Sequence, residues 1–148
     1  MKKTKTVFLN GPISTDFIAQ AIAKHQHKTD IGAHQIFLGQ VRADTIKGKK
    51  VEAIDYTAYK EMAQHVLDTI KEKTFQRYKL TCLHIYHSLN VVPAGQICLF
   101  VFVSSSHRDQ TAKALSFLVE EIKKRAPIFG KEIFNNQSHQ WKTNTSIK

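Results

Sequence analysis

Ile97-Cys98-Leu99-Phe100-Val101-Phe102-Val103-Ser104-Ser105-Ser106-His107-Arg108 is the stretch that decides the fold. Its apolar part, rich in aromatic and β-branched residues, reads as a strand buried on both faces, hence one inside a sheet. From about Arg108 to Arg125, Ala112, Leu115, Leu118, Val119 and Ile122 recur at helical spacing. Pro127 stops that helix, because the residue before proline resists helical geometry. Ile128 to Phe134 then reads as a short final strand. Cationic groups stand at both ends of the helix: His107 and Arg108 before it, Lys123, Lys124 and Arg125 at its close.

Upstream, Leu80 to Leu89 is strand-like, and Pro93-Ala94-Gly95 turns the chain so that Gln96 to Ser104 returns antiparallel to it. Gly32 opens a strand running through Ala33, Ile36, Leu38 and Val41. After the polar loop Asp44 to Lys50, the strand Val51 to Ala58 is expected to pair with it as a long-tipped hairpin. Lys60 to about Gln76 has helical spacing in Met62, Ala63, Val66, Leu67 and Ile70. Nearer the start come a strand, Thr6 to Leu9, and a helix from about Thr15 to Lys24, capped by Ser14, with Phe17, Ile18, Ala21 and Ile22 on its apolar face. The order β-α-β-β-α-β-β-α-β describes an α+β fold: a mostly antiparallel sheet with three main helices packed on it. Residues 1–148 are expected to form a single domain. Residues 135–148, polar apart from Trp141 and Ile147, are expected to be a tail that orders through Trp141 or a partner.

The 148 residues are 42% hydrophobic and 23% charged, an ordinary globular mixture. With 22 Lys and Arg against 12 Asp and Glu, the net charge of +10 predicts attraction to anions: nucleic acid, acidic lipid, an acidic protein or phosphorylated metabolites. Cys82 and Cys98 lie in apolar runs without a C-x-x-C pattern, which predicts buried free thiols and a reducing compartment. Val7-Phe8-Leu9 is too short for a signal core, and no run approaches the ~20 apolar residues of a membrane span, so a cytoplasmic protein is expected.

The serines, His107 and Arg108 stand at a strand-to-helix junction, where free N–H groups and the helix dipole favour an anion. An ordinary N-cap beside a solvated arginine explains the same residues. Lys123 adjoins the buried stripe; against a pocket wall it suits proton transfer or covalent chemistry, and at a helix C-terminus it equally suits a snorkelling role. Arg42 offers either another anion contact or a surface pair with Asp44. No metal site is expected: His84 and His87 alternate across a strand, and His25 and His27 do not converge on a helix end. Neither a nucleophile elbow nor a glycine-rich nucleotide loop occurs.

In order along the chain stand Phe37-Leu38-Gly39-Gln40-Val41-Arg42, Gly48-Lys49-Lys50-Val51, Tyr56-Thr57-Ala58-Tyr59-Lys60-Glu61-Met62-Ala63 and His87-Ser88-Leu89. Val92-Pro93-Ala94-Gly95, Val103 through Arg108, Lys123, Ala126-Pro127-Ile128-Phe129, Lys131-Glu132 and Trp141-Lys142 follow. Together, over roughly Gly32 to Thr143, the chain resembles the large, catalytic subunit family of molybdopterin synthase. The resemblance implies an α/β-hammerhead-like fold and sulfurtransferase activity without a cofactor. Two sulfurs pass from the C-terminal glycine thiocarboxylate of a small ubiquitin-like partner to cyclic pyranopterin monophosphate, in molybdenum cofactor biosynthesis. It further implies a central homodimer with one small subunit at each end. By the same resemblance Val41, Arg42, His107, Arg108, Lys123, Lys131 and Glu132 bind substrate, with Lys123 and Lys131 catalytic. The family has Pro-Ile-Trp followed by two lysines; here Phe129 replaces the Trp and Gly130 the first lysine, so either Lys131 or Lys124 compensates or activity is reduced. The rival readings are a basic nucleic-acid-binding α+β domain, against which Phe100 and Phe102 sit in apolar runs, and a catalytically weakened homologue.

Overall fold

The structure, a computed structural model, describes residues 7–136 and 138–142. In chain order the elements are β1 (Phe8–Asn10), α1 (Thr15–Ala23), β2 (Ala33–Gln40), β3 (Thr45–Ile46), β4 (Lys49–Ala58) and α2 (Lys60–Arg77). Then come β5 (Cys82–Pro93), β6 (Ile97–Ser105), α3 (Arg108–Arg125), β7 (Ile128–Phe134) and β8 (His139–Trp141). The sheet has eight strands in the order β2-β6-β5-β4-β7-β8, with β1 beside β5 and β3 beside β4. Among the described residues only the β1–β5 pair is parallel. This is the expected α+β architecture.

β6 lies inside the sheet, and its alternation explains the three layers. Leu99, Val101 and Val103 pack with Leu67 and Ile70 of α2 and with Leu115, Leu118 and Ile122 of α3. Phe100 and Phe102 point the other way, into a cluster with Phe17, Ile18 and Ile22 of α1. They are 0% and 1% exposed, so neither is available to stack on a nucleic-acid base. Ser14 caps α1 as expected, its side chain accepting from the Phe17 N–H at 3.1 Å.

Four expectations need correction. β2 does not form a hairpin with β4; it pairs with β6, from Ala33 opposite Ser105 to Gln40 opposite Ile97. A strand apolar on both faces needs a neighbour on each edge, and β2 and β5 supply them. β4 instead makes a tight hairpin with the short β3, through Lys47 and Gly48, both at positive φ (52° and 78°), the backbone that a two-residue turn requires. β5 does not stop at Leu89. Cys82 to His87 pair with β6, Asn90 takes a φ of 70°, and Asn90 to Pro93 pair with β4.

The buried helical stripes are also rotated. α3 buries Thr111, Ala114, Leu115, Leu118, Glu121 and Ile122, leaving Ala112 in solvent. Glu121 is tolerated there because Arg125 donates to it at 3.0 Å and Lys73 lies 3.7 Å away. α2 buries Ala63, Leu67, Ile70 and Thr74, while Met62 is exposed. Finally, part of the expected tail is β8, antiparallel to β7 with Trp141 opposite Lys131. Trp141 stays exposed, the Lys131 ammonium 5.9 Å from its ring centre. The rest of the expected tail, residues 143–148, and Gln137 lie outside the described residues, as does Thr6 at the start of the first expected strand. No helix among the described residues is long and apolar enough to cross a membrane.

Candidate active site

A cavity of about 480 Å³ opens where the C-terminal end of α3 meets β7 and the facing parts of β4, β5 and β6. That size suits a small ligand. Its polar walls are Tyr56, His87, Cys98, Lys123, Lys124 and Lys142, with Gly39 and Gln40 of β2 on one side. A second hollow of about 600 Å³, between β1 and the start of α2, mixes Lys60 with Glu61 and Asp68. It therefore offers an anion no uniform positive field, and it holds none of the substrate-binding or catalytic residues expected from the sequence.

Lys123 is placed by the last turn of α3. Water reaches it, yet the cavity walls surround it closely enough that desolvation holds its pKa below the ordinary lysine value; the Cys98 sulfur opposes that shift and the Lys142 charge adds to it. Burial pushes the Tyr56 hydroxyl well above the usual phenol range, with Cys98 and Glu132 contributing, so it remains a neutral donor. It donates to Cys98 Sγ at 3.4 Å, and that thiol donates to the Gly39 carbonyl at 3.4 Å. His87 is buried. Desolvation, together with Lys123, lowers its pKa to about 4 against an opposing hydrogen bond to Ser88. Its Nδ1–H donates to the Ser88 carbonyl at 2.8 Å, which makes Nε2 the bare nitrogen of a neutral ring. The cavity thus combines three cations, of which Lys123 is partly desolvated, with neutral donors.

The sequence-predicted residues divide into groups. Lys123 lies in the cavity. His107 and Arg108 are exposed at the opposite end of α3; fifteen residues at 1.5 Å each put Arg108 about 22 Å along the helix from Lys123. One chain therefore does not bring these three groups together. Val41 is buried in the core, its N–H donating to the Gln96 carbonyl at 3.0 Å and its own carbonyl accepting from Gly95 at 2.8 Å. Arg42 lies 3.4 Å from Asp44 on the surface, the pairing that its neighbour in sequence suggested. Lys131 points to the Trp141 side of β7 and is not among the cavity walls. Glu132 is 4% exposed and accepts from Gln140 Nε2 at 3.1 Å.

Gly130 lines the cavity, and a Cβ there would fall 2.8 Å from Ile54 Cγ2 and 3.2 Å from Tyr56 Cε1. The β7–β8 register sets Lys142 opposite Gly130, and the Lys142 N–H donates to the Gly130 carbonyl at 2.7 Å. The lysines that line the cavity are Lys123, Lys124 and Lys142, and Lys131 is not among them. Lys142 stands in the Trp141-Lys142 pair of the polar C-terminal segment, and the β7–β8 pairing is what carries it to the cavity. Tyr56 and His87 stood in quoted motifs, but only the fold shows that they face one cavity.

The model of the MoaE protein family matches residues 11–125. A molybdopterin synthase catalytic subunit from Pyrococcus abyssi is 34% identical over 134 residues, 90% of this chain and 88% of that one. The crystal structure of molybdopterin synthase from Staphylococcus aureus superposes with a TM-score of 0.79 at 28% identity, covering 97% of this chain and 99% of that one. A chain from the complex of subunits 1 and 2 of molybdopterin-converting factor from Helicobacter pylori shares the fold, with a TM-score of 0.77 at 19% identity, over 90% of this chain and 87% of its own. The family model covers well over half of the chain and the solved structure shares its fold, and the chain belongs to the MoaE family.

Proposed function

We propose that this chain is the catalytic subunit of a molybdopterin synthase, a sulfurtransferase of molybdenum cofactor biosynthesis. It transfers sulfur from the C-terminal thiocarboxylate of a small ubiquitin-like subunit to cyclic pyranopterin monophosphate. The observation that carries the reading is Lys123 in a positively charged cavity, pKa lowered, between Cys98 and Lys142. Lys123 holds the anionic thiocarboxylate. Each sulfur bonds to a pterin side-chain carbon as a carbon–oxygen bond at that carbon breaks; water then cleaves the acyl carbon–sulfur bond, leaving the sulfur on the pterin and a carboxylate on the partner, and Lys123 exchanges the protons that the departing oxygen takes up and the attacking water gives up. The nucleophilic sulfur comes from the partner, so buried Cys98 needs no nucleophilic role.

His107 and Arg108 are proposed to reach the cavity from a second copy in a central homodimer, and Arg42 to join from the segment after Gln40. Lys131 and Glu132 set the β7–β8 edge that presents Lys142. Exposed Phe129 lines the cavity, its ring centre 5.6 Å from that of exposed Tyr59, and offers an apolar seat for the partner's tail. The free thiols of Cys82 and Cys98 suit a cytoplasmic setting.

The test is dithiolene formation with a thiocarboxylated small subunit ending in Gly-Gly. Wild type turns over, and Lys123→Ala abolishes turnover with its fold retained by circular dichroism. Normal turnover by that variant removes Lys123 from the reaction, and absence of turnover by wild type favours a weakened homologue.

A further inference from the structure

On the α1 side of the sheet, away from the cavity, three metal-ligating side chains converge. Cys82 and His84 sit two apart on β5 and so share a face; His25 comes from the turn after α1. His25, Cys82 and His84 each offer one ligand atom within 4.8 Å of the others, and the Nε2 atoms of the two histidines are in hydrogen-bond contact. The sequence spacings that argued against metal compared His84 with His87 and His25 with His27. The fold instead joins His25 to His84 across 59 positions.

We propose that His25, Cys82 and His84 form a three-ligand site for a borderline-soft divalent cation, zinc above all, with the fourth position open to water. Thiolate sulfur and imidazole nitrogen are both donors that zinc takes. The ring of His25 is oriented for it: Nδ1–H donates to the Ala21 carbonyl at 2.7 Å, which leaves Nε2 as the lone-pair nitrogen. That nitrogen is 2.9 Å from His84 Nε2. Tetrahedral zinc with Zn–N bonds near 2.05 Å separates two such nitrogens by about 3.3 Å, so the rings need to open by only about 0.4 Å. The Lys28 ammonium stands 2.9 Å from Cys82 Sγ; on metal binding it swings to solvent, since Lys28 is only half-buried. His25 also packs on Phe102, ring centres 4.9 Å apart, so one wall of the site is apolar. The bound ion ties the end of α1 to β5.

The test uses the full chain freed of metal by chelator dialysis. Zinc affinity is read by competition with a chromophoric chelator, and cobalt(II) serves as the spectroscopic probe. One ion per chain is expected, with a thiolate-to-cobalt charge-transfer band. Cys82→Ser removes that band, and His84→Gln weakens zinc binding by more than about 100-fold, beyond the usual effect of an outer partner. His65→Ala, a surface control on α2, changes neither. Zinc at about a hundredfold over Kd raises Tm by about 5–10 °C in wild type and not in Cys82→Ser. Absence of one-to-one binding, or binding that persists unchanged in both Cys82→Ser and His84→Gln, overturns the proposal. His84 is only partly buried, so its variant retains the fold and keeps the test decisive if Cys82→Ser does not.

Discussion

Neutral His87 beside the cavity makes stability fall in acid by a calculable amount. The ring is 7% exposed, and its pKa falls from 6.5 to about 4 through desolvation first and Lys123 second. As pH drops through 6.5 the unfolded imidazole takes a proton, while the folded one resists until about 4. The unfolded state therefore binds more protons across that window. The contribution of the neutral ring is complete above 6.5 and lost progressively down to about 4, below which nothing more is lost. At about 1.4 kcal/mol per pH unit, the whole window amounts to about 3 kcal/mol. His87→Asn removes the titration and keeps an amide near the Nδ1 position. Urea unfolding of both proteins across the window is the assay. The wild type's advantage over the variant should shrink by about 3 kcal/mol on acidification. Parallel curves, with a constant difference, would refute the buried neutral ring.

Gly130→Ala should cost about 1–3 kcal/mol in urea unfolding, because the new methyl meets Ile54 Cγ2 at 2.8 Å; an unchanged midpoint would show that Ile54 and Tyr56 yield freely. Lys142→Met removes a cation that depresses Lys123, so the Lys123 pKa should rise in a side-chain NMR titration. A fall, or no change, would contradict the β8 contribution to the cavity. Phe102→Ala should cost about 3–5 kcal/mol, since the ring fills the seat of α1. A loss below about 1 kcal/mol would mean that α1 does not depend on that seat.

Local pattern carried the elements well where one cause dominated. The uninterrupted apolar run of β6 announced an interior strand, Ser14 a cap and Pro127 a stop. Pairing was less legible, because strand neighbours depend on which edges remain to be covered: β2 goes to β6, and β4 is left with β3, β5 and β7. Bends hide in the same way; the positive φ of Asn90, which lets one strand serve two partners, leaves no apolar signature. At the site, Lys123 was readable as a cation beside a buried stripe. Tyr56, His87 and Lys142 were not, since strands far apart in sequence bring them together. The separation of Arg108 from Lys123 was available from helix length alone.

Mixing Lys123→Ala and Arg108→Ala chains tests the central claim, a cavity completed by a second copy, most directly. Each variant alone should be inactive while remaining dimeric. After subunit exchange half of the dimers are mixed, and each mixed dimer has one intact cavity of two, so about a quarter of wild-type turnover should return. Full activity of Arg108→Ala by itself, or no recovery on mixing, would contradict the account.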